Sequence, residues 1–286
     1  MNVRKLTPGR IVLYLLLVLF ALYYLAPLYV MLVNSVKTMD EINSGNMMAL
    51  PRHIQFESWQ AAWSSAPIGT SETGLKPFFW NSIKMAVPAV FFSTMLGAFN
   101  GYVFAHWRFK GSEALFTAML IGCFIPFQVV ILPMARILGE IGLANSTTGL
   151  VLVHVIYGTA FTTLFFRNYY IGVPEELIKA ARIDGAGFFL IFRKIVLPIS
   201  GPIFVVCVIW QFTQIWNDFL FGIIFASNEA QPITVGLNNM VNTSSSSPKY
   251  NVNMAGAIIA ALPTLLVYLV AGRYFVRGLT AGAVKG

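Results

Sequence analysis

The 286-residue chain is 57% apolar and only 10% charged, with a formal net charge of +8 and a mean hydropathy of +0.71. Soluble domains carry roughly 25% charged residues, so these figures exclude an ordinary water-soluble fold. Cys123 and Cys207 both lie inside apolar runs and offer neither a disulfide framework nor a metal cluster.

Six apolar runs cover Ile11 to Val33, Phe78 to Ala105, Ala114 to Ala135, Thr147 to Phe166, Ile199 to Ala226 and Val252 to Ala271, and the only charges within them are Lys84 and Asp218. Each is long enough for a helix to cross about 30 Å of hydrocarbon. A transmembrane barrel needs segments of about ten residues alternating in polarity, which these unbroken runs are not. Because every backbone polar group must be satisfied within lipid, the fold class is an all-α polytopic membrane protein with six transmembrane helices.

The basic residues orient the chain. With both termini in the cytoplasm, the inner segments hold thirteen Lys and Arg and the outer ones five, Lys37, Arg52, Lys76, Arg136 and Lys249. The positive charge is therefore explained by membrane topology, and no basic domain suggests nucleic-acid binding. The first run follows Arg4, Lys5 and Arg10 but is longer than the roughly 7–15 residues of a signal-peptide core, so it reads as an uncleaved span. The expected organisation is a cytoplasmic N-terminus at 1–10, a six-span transmembrane domain at 11–276 and a cytoplasmic tail at 277–286.

Between the first two runs, Asn34 to Pro77 carries Trp59 and Trp63 at helical spacing. An outer docking surface and an interfacial anchor both fit that pattern. Between the last two runs, Ser244 to Ser247 followed by Pro248 reads as a loop.

The loop at 169–198, between the fourth and fifth runs, is the most specified segment outside the membrane. Pro174 suits a first helical position, Glu175 and Glu176 the positive first turn, Lys179 and Arg182 the negative last turn, and Gly185 a helix end. Leu177, Ala180 and Ala181 are placed on one face. A helix of about ten residues is below the ~12–15 at which isolated helices become marginal in water, so it must dock, on protein or on lipid headgroups.

In the fifth run, Gln211, Gln214 and Asp218 form one polar stripe and Trp210, Gln214 and Asn217 an overlapping one, with Trp216 beside them. Such a stripe lines a pathway or forms a satisfied interhelical network. Asp218, an ionisable group at membrane depth, is a functional candidate. Asn81, Gln128, His154 and Tyr157 are further pathway candidates.

The loop resembles the Glu-Ala-Ala motif of permease subunits of ATP-binding-cassette importers. Lys179-Ala180-Ala181, Gly185 after three residues, and Ile195, Leu197 and Pro198 after nine more keep the spacing, with Lys179 at the usual Glu position. Asn81-Ser82, Tyr102 to Gly111, Pro126 to Pro133, Trp216 to Phe219, Thr234 to Leu237 and Gly278 to Gly286 are similar to maltose-type carbohydrate permeases, specifically to their six-span MalG-like subunits. Gly272 departs from the Gln that many relatives carry. The ending resembles permeases for glucose or mannose uptake.

The resemblance implies the type I importer permease fold in a bacterial inner membrane. It also implies an assembly with a homologous second permease, two ATPase subunits and a periplasmic or extracellular sugar-binding protein. Glu175, Glu176, Leu177, Lys179, Ala180, Ala181, Asp184 and Gly185 would then contact an ATPase cleft, with Lys285 and its neighbours as a secondary contact. This chain has no G-x-x-x-x-G-K-[ST] sequence, so ATP and Mg²⁺ would sit on the partner, and the chain itself would bind no cofactor or metal and hold no catalytic residue. The competing reading is an autonomous proton-coupled secondary transporter, which needs paired intramembrane acids and bases where only Asp218, Lys84 and His154 are available. No catalytic constellation stands out for an enzyme.

Overall fold

The computed structural model describes residues 7–107, 109–227, 229–243 and 248–283, with side chains described through residue 272. Among the described residues the chain is helical, apart from one isolated bridge between Ile68 and Ser71. In order the helices are α1 (Pro8–Ser35), α2 (Met39–Ser44), α3 (Glu57–Ser64), α4 (Lys76–His106), α5 (Ser112–Phe124), α6 (Phe127–Glu140), α7 (Thr147–Ile171), α8 (Glu175–Ile183) and α9 (Phe188–Ile191). A wide π turn (Phe192–Val196) follows, then α10 (Leu197–Ile199), α11 (Gly201–Trp216), α12 (Leu220–Phe225), α13 (Ile233–Thr243) and α14 (Tyr250–Ala283).

Four helices, Pro8–Ser35, Lys76–His106, Thr147–Ile171 and Tyr250–Gly272, are individually long and apolar enough to cross a membrane. Two bent pairs raise the number to six when each is one span. The expected third span is therefore broken within its length, and the expected fifth at its first residues. The third turns by 101° between α5 and α6, across Ile125 and Pro126. Proline disfavours the helical conformation of the residue before it, and Ile125 is accordingly extended, at φ −66° and ψ 122°. The fifth turns by 77° at Ser200, between Pro198 and Pro202, each of which lacks the N–H that a continuous helix would use. Its far end is also shorter than predicted, because α11 stops at Trp216 and the chain restarts as α12.

The chain divides into two compact units, one formed by residues up to 76 together with 237–261, the other by 77–236 together with 262 onward. In the first, Trp59 on α3 donates from Nε1 to Ser35 Oγ at 3.2 Å, and Ser58 Oγ donates to the Ser35 carbonyl, so α3 folds onto the end of α1. Lys37 is buried, donating from Nζ to the Asn46 carbonyl at 3.3 Å, while its own carbonyl accepts from Gln55 and Asn251. The apolar body of α1 is unburied along its membrane-length window.

In the second unit α4 and α7 pack through small residues. A Cβ on Gly97 would lie 2.2–2.8 Å from Thr162 atoms, and one on Gly101 2.6 Å from Phe166 Cβ and 2.7 Å from the Arg167 nitrogen. Gly97 and Gly101, and Thr162 and Phe166, are both i, i+4 pairs, so one helix presents a trough where the other presents side chains. Transmembrane helices gain their association from this kind of close approach, because lipid offers no hydrophobic drive. The Thr162 hydroxyl adds a bond to the Ser93 carbonyl at 2.8 Å.

Candidate functional site

Two features of the second unit carry functional geometry. The first is the connector helix α8. Pro174 is its N-cap rather than its first residue, and Gly185, at φ +81°, ends it in the left-handed region as its sequence suggests. Its inner stripe is Ile178 and Ala181, buried in a cluster with Ala98 and Tyr102 of α4, Phe166 and Tyr170 of α7, Ile191, Val196 and Cys207. Leu177, at 48% exposure, and Ala180 instead face outward with Ile183.

The predicted common face of Leu177, Ala180 and Ala181 is thus corrected: Ala181 belongs to the packed side and the other two to the open side. On nine residues both stripes have helical spacing, and the charges at 175, 176, 179 and 182 do not separate them. Ile178, which the sequence reading did not single out, is the anchor.

Polar contacts fix the same helix. Arg182 donates from Nη2 to the His106 carbonyl at 3.2 Å and lies 4.2 Å from the centroid of Trp107, holding α8 to the end of α4. Lys179 pairs with Glu175 at 3.1 Å, but both side chains are exposed and the pair is worth only a few tenths of a kcal/mol. Glu176, Asp184 and Gly185 are exposed. Beneath α8, the Ser200 hydroxyl donates to Tyr170 Oη at 2.9 Å and Tyr169 donates to the Ile199 carbonyl at 2.8 Å. These bonds tie the foot of α7 to the bend of the fifth span. Lys285 lies outside the described residues.

The second feature is a cavity of about 330 Å³ lined from α7 by His154, Tyr157 and Phe161, from α11 by Trp210, Gln211 and Gln214, and beyond its end by Asp218 and Phe221. Six of the ten predicted pathway residues meet here: His154, Tyr157, Trp210, Gln211, Gln214 and Asp218. Four do not line it. Asn81 donates to the carbonyls of Glu229 and Gln231, fixing the loop before α13. Trp216 is fully buried, stacked 5.5 Å from Phe212 and edge-on to Phe79 at 5.4 Å. Gln128 and Asn217 are exposed away from the cavity lining.

Gln211 serves the structure as well as the cavity. It is buried, its Nε2 donates to Ser93 Oγ at 2.7 Å, and it covers Gly158, where a Cβ would come within 1.7 Å of that nitrogen. The pathway and network readings of the stripe therefore divide by residue, with Gln211 in a network joining α4, α7 and α11 while Gln214 remains exposed.

Asp218 does not continue the helical stripe, because α11 has ended. Its carboxylate accepts from the backbone of Phe221 at 3.2 Å and Gly222 at 3.0 Å, capping α12, and Thr234 Oγ1 donates to its carbonyl. His154 Nε2 stands 3.6 Å from Asp218 Oδ2. The sequence named both residues without pairing them, since 64 positions separate them; only the fold brings them together. Phe127, Phe161 and Phe221, which complete the aromatic lining, carried no sequence signal apart from being apolar.

Broken apolar spans around a polar-tipped cavity, with an amphipathic connector anchored in the span core, describe a multi-pass helical membrane protein. Residues 79–277 match the family of binding-protein-dependent transport system inner membrane components. The chain is 40% identical over 285 residues to a probable ABC transporter permease protein of Pyrococcus horikoshii, covering 99% of this chain and 100% of that one. It is 30% identical over 295 residues to a xylose/arabinose import permease protein of Haloferax volcanii, covering 96% and 93%. Among solved structures, a chain of a bacterial ABC transporter involved in import of the acidic polysaccharide alginate superposes with a TM-score of 0.78 at 21% identity, over 95% of this chain and 99% of that one. The chain belongs to the binding-protein-dependent transport system permeases, the membrane subunits of ATP-binding-cassette importers.

Proposed function

We propose that this permease imports a sugar, moving it by alternating access when partner ATPases close on ATP and Mg²⁺. The assembly would hold this chain, a homologous permease, two ATPase subunits and an extracytoplasmic binding protein, with both termini of this chain in the cytoplasm. A carbohydrate substrate is supported by the sugars named for the Haloferax volcanii relative. The cytoplasmic placement of α8 is supported by the bias of basic residues.

The observation that carries the coupling role is the two-sidedness of α8. Ile178 and Ala181 lock one side into the core of α4 and α7, while Leu177, Ala180 and Ile183 leave an apolar edge open between Glu176 and Asp184. A partner gripping that edge moves the spans with it, because the inner side is packed without slack. Glu175, Glu176, Leu177, Lys179, Ala180, Asp184 and Gly185 form the proposed contact set, and Ala181 transmits the motion from within.

The test is copurification of the ATPase with Leu177→Asp and Ala180→Arg variants. Weakened association with unchanged membrane insertion is expected. Full association and transport in both would count against docking. Ala181→Arg would not test docking, since a charged side chain in the buried cluster would disrupt the core and mimic a docking defect.

A further inference from the structure

We propose that the cavity between α7, α11 and α12 is a subsite for one neutral sugar ring within this subunit, with Trp210 as the stacking face and Gln214, Asp218 and His154 as hydroxyl partners. The inference rests on the sugar-importer reading and adds to it where the ring is held and by which atoms. Four observations converge on it.

The first is size. About 330 Å³ is near the lower end of the roughly 300–1,000 Å³ typical of small-molecule pockets, which suits a single ring rather than a chain of them. The second is the distribution of chemistry. Tyr157, Phe161, Trp210 and Phe221 provide flat apolar surface, and the polar groups sit among them. A pyranose has the matching division, with C–H bonds on its faces and hydroxyls around its edge. Phe161 and Phe165 hold the Trp210 indole at ring-centroid distances of 5.0 and 5.7 Å, so the platform is in place before a ligand arrives.

The third is an unmet hydrogen-bonding need. The His154 side chain is 7% exposed, and its Nε2 has no hydrogen-bond partner. Leaving such a group unpaired costs about 1–3 kcal/mol, and of the buried unpartnered atoms His154 Nε2 is the one on a residue that lines this cavity. Nε2 and Asp218 Oδ2 stand 3.6 Å apart at the cavity wall, longer than a direct hydrogen bond, so a ligand hydroxyl entering from the open side can approach either group. Asp218 has acceptor capacity to spare beyond the two backbone bonds it makes.

The fourth is charge. The lining includes one carboxylate and no Lys or Arg, so an anionic sugar would meet Asp218 without a compensating cation.

The experiment uses the whole transporter in proteoliposomes with saturating binding protein and radiolabelled D-glucose, D-xylose and L-arabinose in turn. For whichever sugar the wild type takes up, Trp210→Ala and Gln214→Ala are each expected to lower maximal uptake about tenfold. The half-saturating sugar concentration, set by the separate binding protein, should stay unchanged, and so should binding-protein-stimulated ATP hydrolysis. Trp210→Phe should restore most of the uptake.

Wild-type uptake in both alanine variants would overturn the subsite. So would a parallel fall of uptake and ATP hydrolysis in both, which is the mark of a purely structural role. If Trp210→Ala does not assemble, Gln214→Ala decides alone, because Gln214 is exposed and its truncation leaves no buried void. Failure of the wild type to take up any of the three sugars is a distinct result that overturns the sugar-importer reading itself.

Discussion

The connector cluster and the intramembrane cavity share helix α7, and they are built on opposite principles. Around α8 the residues are apolar, close-packed and saturated with contacts: Ile178, Phe166, Tyr170, Ile191 and Val196 are each at most 1% exposed. Around the cavity, polar tips face open space and His154 Nε2 lacks a partner. A buried apolar cluster transmits displacement, whereas a polar lining beside open space can take a ligand, although unpartnered nitrogens also occur at His106 and Trp107 beside α8. Thus α7 links a mechanical end to a chemical end, and perturbations should separate along it.

The largest effect is expected at the mechanical end. Ile178→Ala should cost about 2–4 kcal/mol in the stability of the α8 docking, because it removes the anchor from a filled site. Hydrogen exchange of the 175–183 amides would rise while the amides of α11 remain protected. Exchange rising equally in both regions would show that α8 is not a separable element. Gly101→Ala comes next, at about 1–3 kcal/mol, since its Cβ would meet the backbone nitrogen of Arg167 as well as Phe166. Thermal unfolding of the purified assembly checks it, and an unshifted midpoint would refute the close α4–α7 approach.

At the chemical end smaller costs are expected. Asp218→Ala removes the cap of α12 at about 1 kcal/mol, visible as faster exchange of the Phe221 and Gly222 amides with unchanged exchange in α8. Lys179→Ala should change the stability of α8 itself by no more than a few tenths of a kcal/mol, because its pair with Glu175 is solvent-exposed. Any larger loss in ATPase copurification would then report its place in the proposed contact set, and none would remove it from that set.

Much of the fold was legible because membrane spans are written in length and hydropathy, and the Lys179 to Pro198 spacing picked out the connector directly. The bends were less so. Pro126, Pro198 and Pro202 are plain in the sequence, but proline within a span allows a gentle kink as readily as the 101° and 77° turns observed. The end of α11 at Trp216 was also hidden, since Asn217 and Asp218 continue the helical polar period by chance, and only the backbone bonds to Asp218 show that the period has stopped.

The cavity was half legible for a related reason. Gln211, Gln214 and Trp210 share a helix and so share a signal, whereas His154 joins Asp218 through tertiary packing that one-dimensional spacing does not encode. For α8 the helix itself was legible, but its spacing allowed either face to be the packed one. Resolving it required knowing which side meets Tyr102 and Phe166.

The most direct test of the coupling role is site-directed cross-linking from α8 in the assembled transporter, with cysteine placed in turn at Ala180, on the open edge, and at Ala181, on the packed side. Cross-links to the ATPase that form from Ala180→Cys, depend on ATP and are absent from Ala181→Cys are expected. No cross-link from Ala180→Cys in any nucleotide state, with the ATPase bound elsewhere on the chain, would contradict it.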